Sequence, residues 1–266
     1  MSAPPPILEC RDVWKSYGAQ PVLQGITFVA RAGENLCILG ASGGGKTTLI
    51  KILFGAHRPD RGQVLLDGED IAGMDEPQLD RVRRKFGVMF QGGALLNSLT
   101  VGENVALPLQ HHTRLDRDTI LTMVKIKLHQ VDLLEAADKL PSDLSGGMLK
   151  RASVARALAL DPKILFYDEP ESGLDPIATS RVDQLINQMR DTMGITNVVV
   201  SHTLDSVRRI GDHILLLDQG RILLDGSFDQ LMTSDNARVR RFRTGELEAE
   251  EGTTLRAQNY YKDLLM

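Results

Sequence analysis

Apolar residues along this chain gather into short continuous runs and into helical spacings, and the two kinds alternate. NLCILG (35–40), KILFYDEP (163–170) and TNVVVSH (196–202) are runs bounded by polar or turn residues. Runs of this length predict strands buried on both faces of a sheet. HILLLD (213–218) and RILLDG (221–226) predict a hairpin, and QVLLDG (63–68) and FGVMFQ (86–91) two further strands. Two β-branched stretches, 7–13 and 22–29, flank KSYGAQ and predict strands joined by a turn. Helical spacing predicts helices over 46–54 (Leu49, Ile52, Leu53), 177–193 and about 204–210, and a mostly helical block over 92–160 with Ile120, Val124 and Leu128 on one face. Strands alternating with helices predict an α/β fold around a mostly parallel sheet, with the helical block inserted.

At 266 residues the chain can bury a sizeable core, and 42% apolar with 25% charged residues is ordinary globular composition. A net charge of −4 disfavours nucleic acid as the main partner. No run of about 18 apolar residues is present to span a bilayer. The N-terminal MSAPPPILECRDV lacks the basic and apolar regions of a signal peptide. The expectation is a cytosolic protein that reaches a membrane only through a partner. Cys10 and Cys37 stand in apolar strands and are expected to be reduced core thiols. From about 236 the chain turns charge-rich (RVRRFR, ELEAEE) before ending in NYYKDLLM. That tail is either solvated or, given Tyr260, Tyr261, Leu264 and Leu265, docked on another surface.

The chemistry begins at Gly40-Ala41-Ser42-Gly43-Gly44-Gly45-Lys46-Thr47, between a predicted strand and a predicted helix, with Thr48 next. Glycines let consecutive N–H groups curl around an anion, and the helix N-terminus behind them adds partial positive charge. Lys46 can reach the β- and γ-phosphates of a nucleotide, and the Thr47 hydroxyl is a hard oxygen ligand suited to Mg²⁺. Asp168 and Glu169 follow four apolar residues, placing an acid pair at a strand end. Asp168 would hold the metal, and Glu169 would polarise the attacking water as a general base. Gln91 and His202 each end another apolar strand, at the carboxyl edge where open α/β sheets bind ligands.

With Leu144-Ser145-Gly146-Gly147 and Gly173-Leu174-Asp175 added, the order and spacing of these motifs resemble those of an ABC-transporter ATPase over about residues 7–233. The resemblance implies a P-loop NTPase (RecA-like) core with an antiparallel β subdomain and an inserted α-helical subdomain. The nucleotide-binding domain would fill 1–235, and 236–266 would be an extension able to clasp a partner. It further implies that Tyr17 stacks on adenine, that Gln91 senses Mg²⁺, and that His202 contacts the γ-phosphate. Lys46, Gln91, Glu169 and His202 would form the catalytic set, with Thr47, Gln91 and Asp168 at the metal. Ser145, Gly146, Gly147 and Asp175 would complete the ATP site of a second copy, in a homodimer that closes on ATP.

Most importer and exporter ATPases of this family carry Gln after LSGG, whereas this chain has Met148. LSGGM with the following KRASVARALALDPKILFYDEP, FQGGALLNSLTVGENVALPL (90–109) and DPIATSRVDQLI (175–186) are similar to the Mla/MCE lipid-transport ATPases. The implied partners are an integral membrane permease docked near Gln91 and an MCE lipid-binding protein. The implied cargo is phospholipid, and the location is the cytoplasmic face of the inner membrane. An ATPase of another importer, for a polar solute, or a non-transport ABC protein are the alternatives. Two departures from the family pattern stand out. Gly44 occupies a common Ser or Cys position that the cradle should tolerate, and Glu171 stands where Thr is usual and could alter the approach of the 173–175 loop.

Overall fold

A computed structural model describes residues 4–245. In chain order its strands are β1 (Pro6–Tyr17), β2 (Gln20–Arg31), β3 (Asn35–Gly40), β4 (Arg61–Leu66), β5 (Glu69–Asp70), β6 (Phe86–Met89), β7 (Ile164–Asp168), β8 (Thr196–Val200), β9 (His213–Asp218) and β10 (Arg221–Gly226). The helices are α1 (Lys46–Leu53), α2 (Glu76–Arg83), α3 (Val101–His112), α4 (Arg117–Gln130), α5 (Gly146–Ala157), α6 (Pro176–Met193), α7 (Leu204–Ile210), α8 (Phe228–Thr233) and α9 (Ala237–Thr244).

The continuous apolar runs build a six-stranded sheet in the order β10-β9-β3-β8-β7-β6. Its strands pair in parallel, except that β10 closes one edge as the antiparallel arm of a hairpin with β9. Because side chains alternate along a strand, each run feeds two cores. Cys37, Leu39, Leu165, Tyr167, Val199 and Leu216 enter the core shared with the helices. Leu36, Ile38, Phe166, Val200 and Leu217 enter the other, with Leu49 and Leu53 of α1. That second core is closed by an antiparallel sheet in the order β2-β1-β4-β5, through Leu8, Val13, Ile26 and Phe28. Both faces of its central strands are therefore dry, which is why their runs are mostly apolar, with the buried polar Asn35 and Asn197 hydrogen-bonded to one another.

The 92–160 block holds α3, α4 and α5, each opened by a side-chain cap at Thr100, Asp116 or Ser145. Ile120, Val124 and Leu128 are buried, as their spacing predicts. In register, Asp168 pairs with Val200, Val200 pairs with Ile38, and Gly40 pairs with Leu217. The carboxyl ends of β3, β7, β8 and β9 thus share one level, and the functional loops leave from it.

The structure departs from expectation at several elements. β1 and β2 run to Tyr17 and from Gln20, leaving Gly18-Ala19 as the turn. β6 stops at Met89 and β8 at Val200, so Gln91 and His202 stand two residues beyond their strands, in loops. The unforeseen α2 opens with a reciprocal capping box between Asp75 and Gln78. The RVRRFR run is not a solvated tail but most of helix α9, which buries Val239 and pairs Arg238 with Asp218 of β9. The expectations for ELEAEE and NYYKDLLM lie outside the described residues.

Candidate functional site

Gly40 to Lys46 cross from β3 into α1 through a turn that depends on glycine. Gly43 has φ +77° and Gly45 φ +99°, and a Cβ on Gly45 would lie 2.9 Å from Leu23 Cδ2 and 3.0 Å from Val22 O. Gly45 is also the N-cap of α1 and has no side chain to cap it. Among the described residues no side chain caps the first N–H groups of the helix, as an anion-binding helix start requires. Lys46 is 7% exposed and donates to Gly40 O at 2.8 Å and Ala41 O at 2.9 Å. Burial lowers its pKa, while Glu169 and Asp168 pull it back up. A cavity of 1180 Å³ opens here, lined by Tyr17, Gly40, Ser42, Gly43, Gly44, Gly45, Lys46, Thr47, Thr48, Glu169 and His202 among others. Tyr17 keeps 48% of its surface exposed and meets His57 edge-on.

The acid pair sits at the end of β7. Burial and the neighbouring Glu169 raise the pKa of Asp168, against Lys51, Lys46 and Lys150. Glu169 is held at φ +49°, a left-handed conformation that a non-glycine side chain adopts at a cost. Its N–H donates to Val200 O at 3.0 Å, and its Oε2 accepts from Gln91 Nε2 at 2.8 Å. His202 is half exposed, with Nδ1 3.9 Å from Glu169 Oε1. Gln91, Glu169 and His202 are thus assembled from three loops around one carboxylate.

Ser145, Gly146, Gly147 and Asp175 stand elsewhere. They line a separate cavity of 410 Å³ with Met148, Arg151, Leu174 and Ala178, and it shares no lining residue with the larger one. Ser145 caps α5, accepting from Met148 N at a long 3.4 Å. Asp175 caps α6, accepting from Ile177 N at 2.8 Å and Ala178 N at 2.9 Å. Gly146 and Gly147 let this wall close: a Cβ on either would press on Leu174 Cδ2 at 3.3 Å or Ala178 Cβ at 3.4 Å. Within one chain, then, two glycine-built helix starts face two different concavities.

Three features escaped the sequence reading. Arg238, Arg241, Phe242 and Gly245, in α9 or just after it, line the phosphate-loop cavity beside Asp218 and Gln219. The charge run was visible, but nothing local in it says that the helix folds back on β9. Lys150 is buried and donates to Gln91 O at 2.5 Å, and Ser153 and Arg156 reach the carbonyls of Gly93 and Ala94 at 2.9 and 2.6 Å. One face of α5 therefore grips the loop after β6. Glu171, expected to act on the 173–175 loop, instead turns inward and is 6% exposed. Cys10 and Cys37 are free and buried, and burial pushes the Cys10 thiol up to about 12, well away from reactive thiolate.

The family model described as ABC transporter matches residues 23–172. Over 258 residues the chain is 36% identical to the intermembrane phospholipid transport system ATP-binding protein MlaF of Haemophilus influenzae, covering 97% of this chain and 98% of that one. It is 38% identical to the protein of the same name from Escherichia coli, over 97% and 96% of the two chains. It is also 39% identical to the probable ribonucleotide transport ATP-binding protein mkl of Mycobacterium leprae, over 90% of this chain and 69% of that one. Among solved structures it matches a dimeric ATP-binding cassette in a post-hydrolysis state bound to ADP and Pi, with TM-score 0.77, 30% identity, and 83% and 98% coverage. CbiO1 of Clostridium perfringens, part of an ABC transporter complex, matches with TM-score 0.80, 28% identity, and 89% and 94% coverage.

Proposed function

This chain belongs to the ABC transporter family, as an ATP-binding and ATP-hydrolysing subunit, and from that premise we propose that it powers phospholipid transport as a homodimer beneath a membrane permease. The observation that carries the dimer is the separation of the two helix starts. The phosphate loop and the Ser145–Gly147 turn line different cavities of one chain, so a second copy is needed to bring them onto one nucleotide. A polyphosphate held by one cradle keeps an open face on its γ-phosphate, and a second helix N-terminus supplied in trans meets that charge. The signature turn needs no lysine because Lys46 already stands on the other side. ATP then favours the closed dimer by binding it more tightly than the open one.

Each group has a chemical part in hydrolysis. The backbone of 40–47 and Lys46 bind the β- and γ-phosphates, and Tyr17 stacks on the base. Water attacks the γ-phosphorus, Glu169 accepts its proton, and the bond to the β–γ bridging oxygen breaks to leave ADP and phosphate. His202 donates to a γ-phosphate oxygen. Thr47, Gln91 and Asp168 offer an all-oxygen donor set with a single carboxylate, which suits Mg²⁺. Bound there, Mg²⁺ would neutralise phosphate charge.

Phospholipid as cargo rests on the full-length similarity to the two MlaF proteins and on the three MlaF-like stretches, including Met148 after the signature glycines. Among the described residues no helix is long and apolar enough to cross a membrane. In the proposed complex a permease docks near Gln91 and residues 92–105 and holds the subunit at the cytoplasmic face, with an MCE-type lipid carrier beyond it. The likeness to the mycobacterial protein named for ribonucleotide transport keeps a polar cargo as the second reading. The test is to purify the native complex and identify its subunits and bound small molecules by mass spectrometry. Co-purifying phospholipid with an MCE protein supports lipid transport. A polar-solute permease with its solute-binding protein, and no lipid, contradicts it.

A further inference from the structure

We propose that Glu171 is a positioning residue that holds the 201–203 segment, and with it His202, at the γ-phosphate. The inference rests on the γ-phosphate role given to His202 above. Glu171 lies two residues after Glu169, in the turn leaving β7, and its side chain is only 5% exposed. Its Oε1 accepts from three successive residues: Ser201 Oγ at 2.5 Å, the His202 N–H at 3.4 Å and Thr203 Oγ1 at 3.3 Å. Ser201 Oγ accepts in turn from Thr203 N at 3.0 Å, closing a small ring around His202.

The geometry assigns this ring to the histidine rather than to packing alone. His202 is bracketed by the two anchored residues, yet its own side chain is 55% exposed. Among the described residues its ring has only long contacts, 3.9 Å to Glu169 and 3.9 Å to Glu171. The placement of the ring is therefore set by the backbone beneath it, and Glu171 holds that backbone. Backbone bonds also hold the neighbours of His202, Ser201 N to Ile38 O at 3.1 Å and Val207 N to Thr203 O at 3.2 Å, but among the described residues the His202 N–H finds its acceptor in Glu171. The place requires an sp² oxygen, as a carboxylate or an amide supplies. Such an oxygen can accept several donors while giving up no proton of its own, whereas a hydroxyl carries a proton that must also be placed.

Among the described residues the other oxygen, Oε2, is buried without a hydrogen-bond partner. A buried carboxylate left half satisfied is a cost to folding, and it persists where the arrangement has another use. Glu171 is the foremost opposite charge acting on Lys150 of α5, ahead of Glu169 and Asp168, and it acts as a like charge on Asp183. Because Lys150 also bonds Gln91 O, Glu171 lies between the histidine loop and the helix that carries the signature turn.

The test compares full-length wild type with Glu171→Ala, Glu171→Gln and His202→Ala. It measures kcat and KM for ATP, thermal unfolding, and amide hydrogen exchange in peptides covering 201–205 and the phosphate loop. Misplacing a catalytic group is expected to lower kcat roughly ten- to a hundredfold in Glu171→Ala, with KM little changed. Exchange should rise over 201–205 and not at the phosphate loop. Glu171→Gln keeps an acceptor for the three donors and should restore most of the turnover. Undiminished kcat in Glu171→Ala, with turnover lost in His202→Ala, overturns the inference alone. A parallel fall of kcat, ATP affinity and melting temperature that Gln does not rescue also overturns it, in favour of a folding role. Turnover that survives His202→Ala overturns the role of His202 itself.

Discussion

Glu169 is where local strain and chemistry coincide. It is held in a left-handed backbone conformation at the end of β7, with Gln91 donating to its Oε2. Changing it to Gln keeps the shape and removes the proton acceptor. General-base loss predicts turnover lower by about 10² to 10⁴-fold. ATP binding should persist, and equilibrium nucleotide binding measured beside steady-state hydrolysis checks both. Unchanged hydrolysis would remove Glu169 from the chemistry. The acid pair was legible because four apolar residues drive it to a strand end, and the phosphate loop because its glycines are consecutive in sequence. Glu171 was misjudged for the opposite reason. Its partners lie thirty residues away and meet it only because β7 and β8 are neighbours in the sheet.

Secondary-structure elements carry these residues, and their ends decide what each residue can do. Ser145 caps α5, but its donor is 3.4 Å away, so the cap is weak. Ser145→Ala should therefore cost at most about 1 kcal/mol of stability. If the hydroxyl serves a γ-phosphate in trans, ATPase activity should fall far more than the melting temperature suggests. Thermal unfolding beside turnover separates the two effects. A second prediction concerns β9. His213 opens this strand with Nδ1 3.2 Å from Glu34 and Nε2 2.6 Å from Asp225, and Glu34 foremost, then Asp225, raises its pKa against burial. A raised folded pKa stabilises fully below the unfolded value of about 6.5, and the gain is lost as pH rises through the folded value. His213→Gln should thus destabilise most near pH 5.5 and least at alkaline pH, as read by denaturant unfolding across that range. Equal destabilisation at both ends would deny the charge. The buried strands were readable because both of their faces are dry. The loops holding Gln91 and His202 were placed two residues short, since Phe90 and Ser201 continue the run in sequence after the ladder has ended. α9 was missed because a charge-rich helix that reaches back to β9 through Arg238 and buries only Val239 has no strong apolar face to announce it.

At the scale of the whole molecule, the chain holds two glycine-built helix starts that do not meet, proposed above as the two halves of an ATP site. Its phosphate loop faces one cavity, its signature turn another, and α5 joins the second, through Lys150, to the loop of Gln91, which bonds Glu169 at the first. In the proposed dimer, the signature of one copy therefore serves the nucleotide of the other. Complementation tests this directly. Lys46→Ala removes the phosphate grip and leaves the signature intact, while Ser145→Arg blocks the signature and leaves the phosphate loop intact. Neither variant alone can build a complete site. In a mixed dimer, one site joins the intact phosphate loop of the second variant to the intact signature of the first. ATPase activity is measured for each full-length variant and for their mixture. Activity in the mixture well above the sum of the two variants is the predicted result. A mixture no more active than that sum would contradict the account.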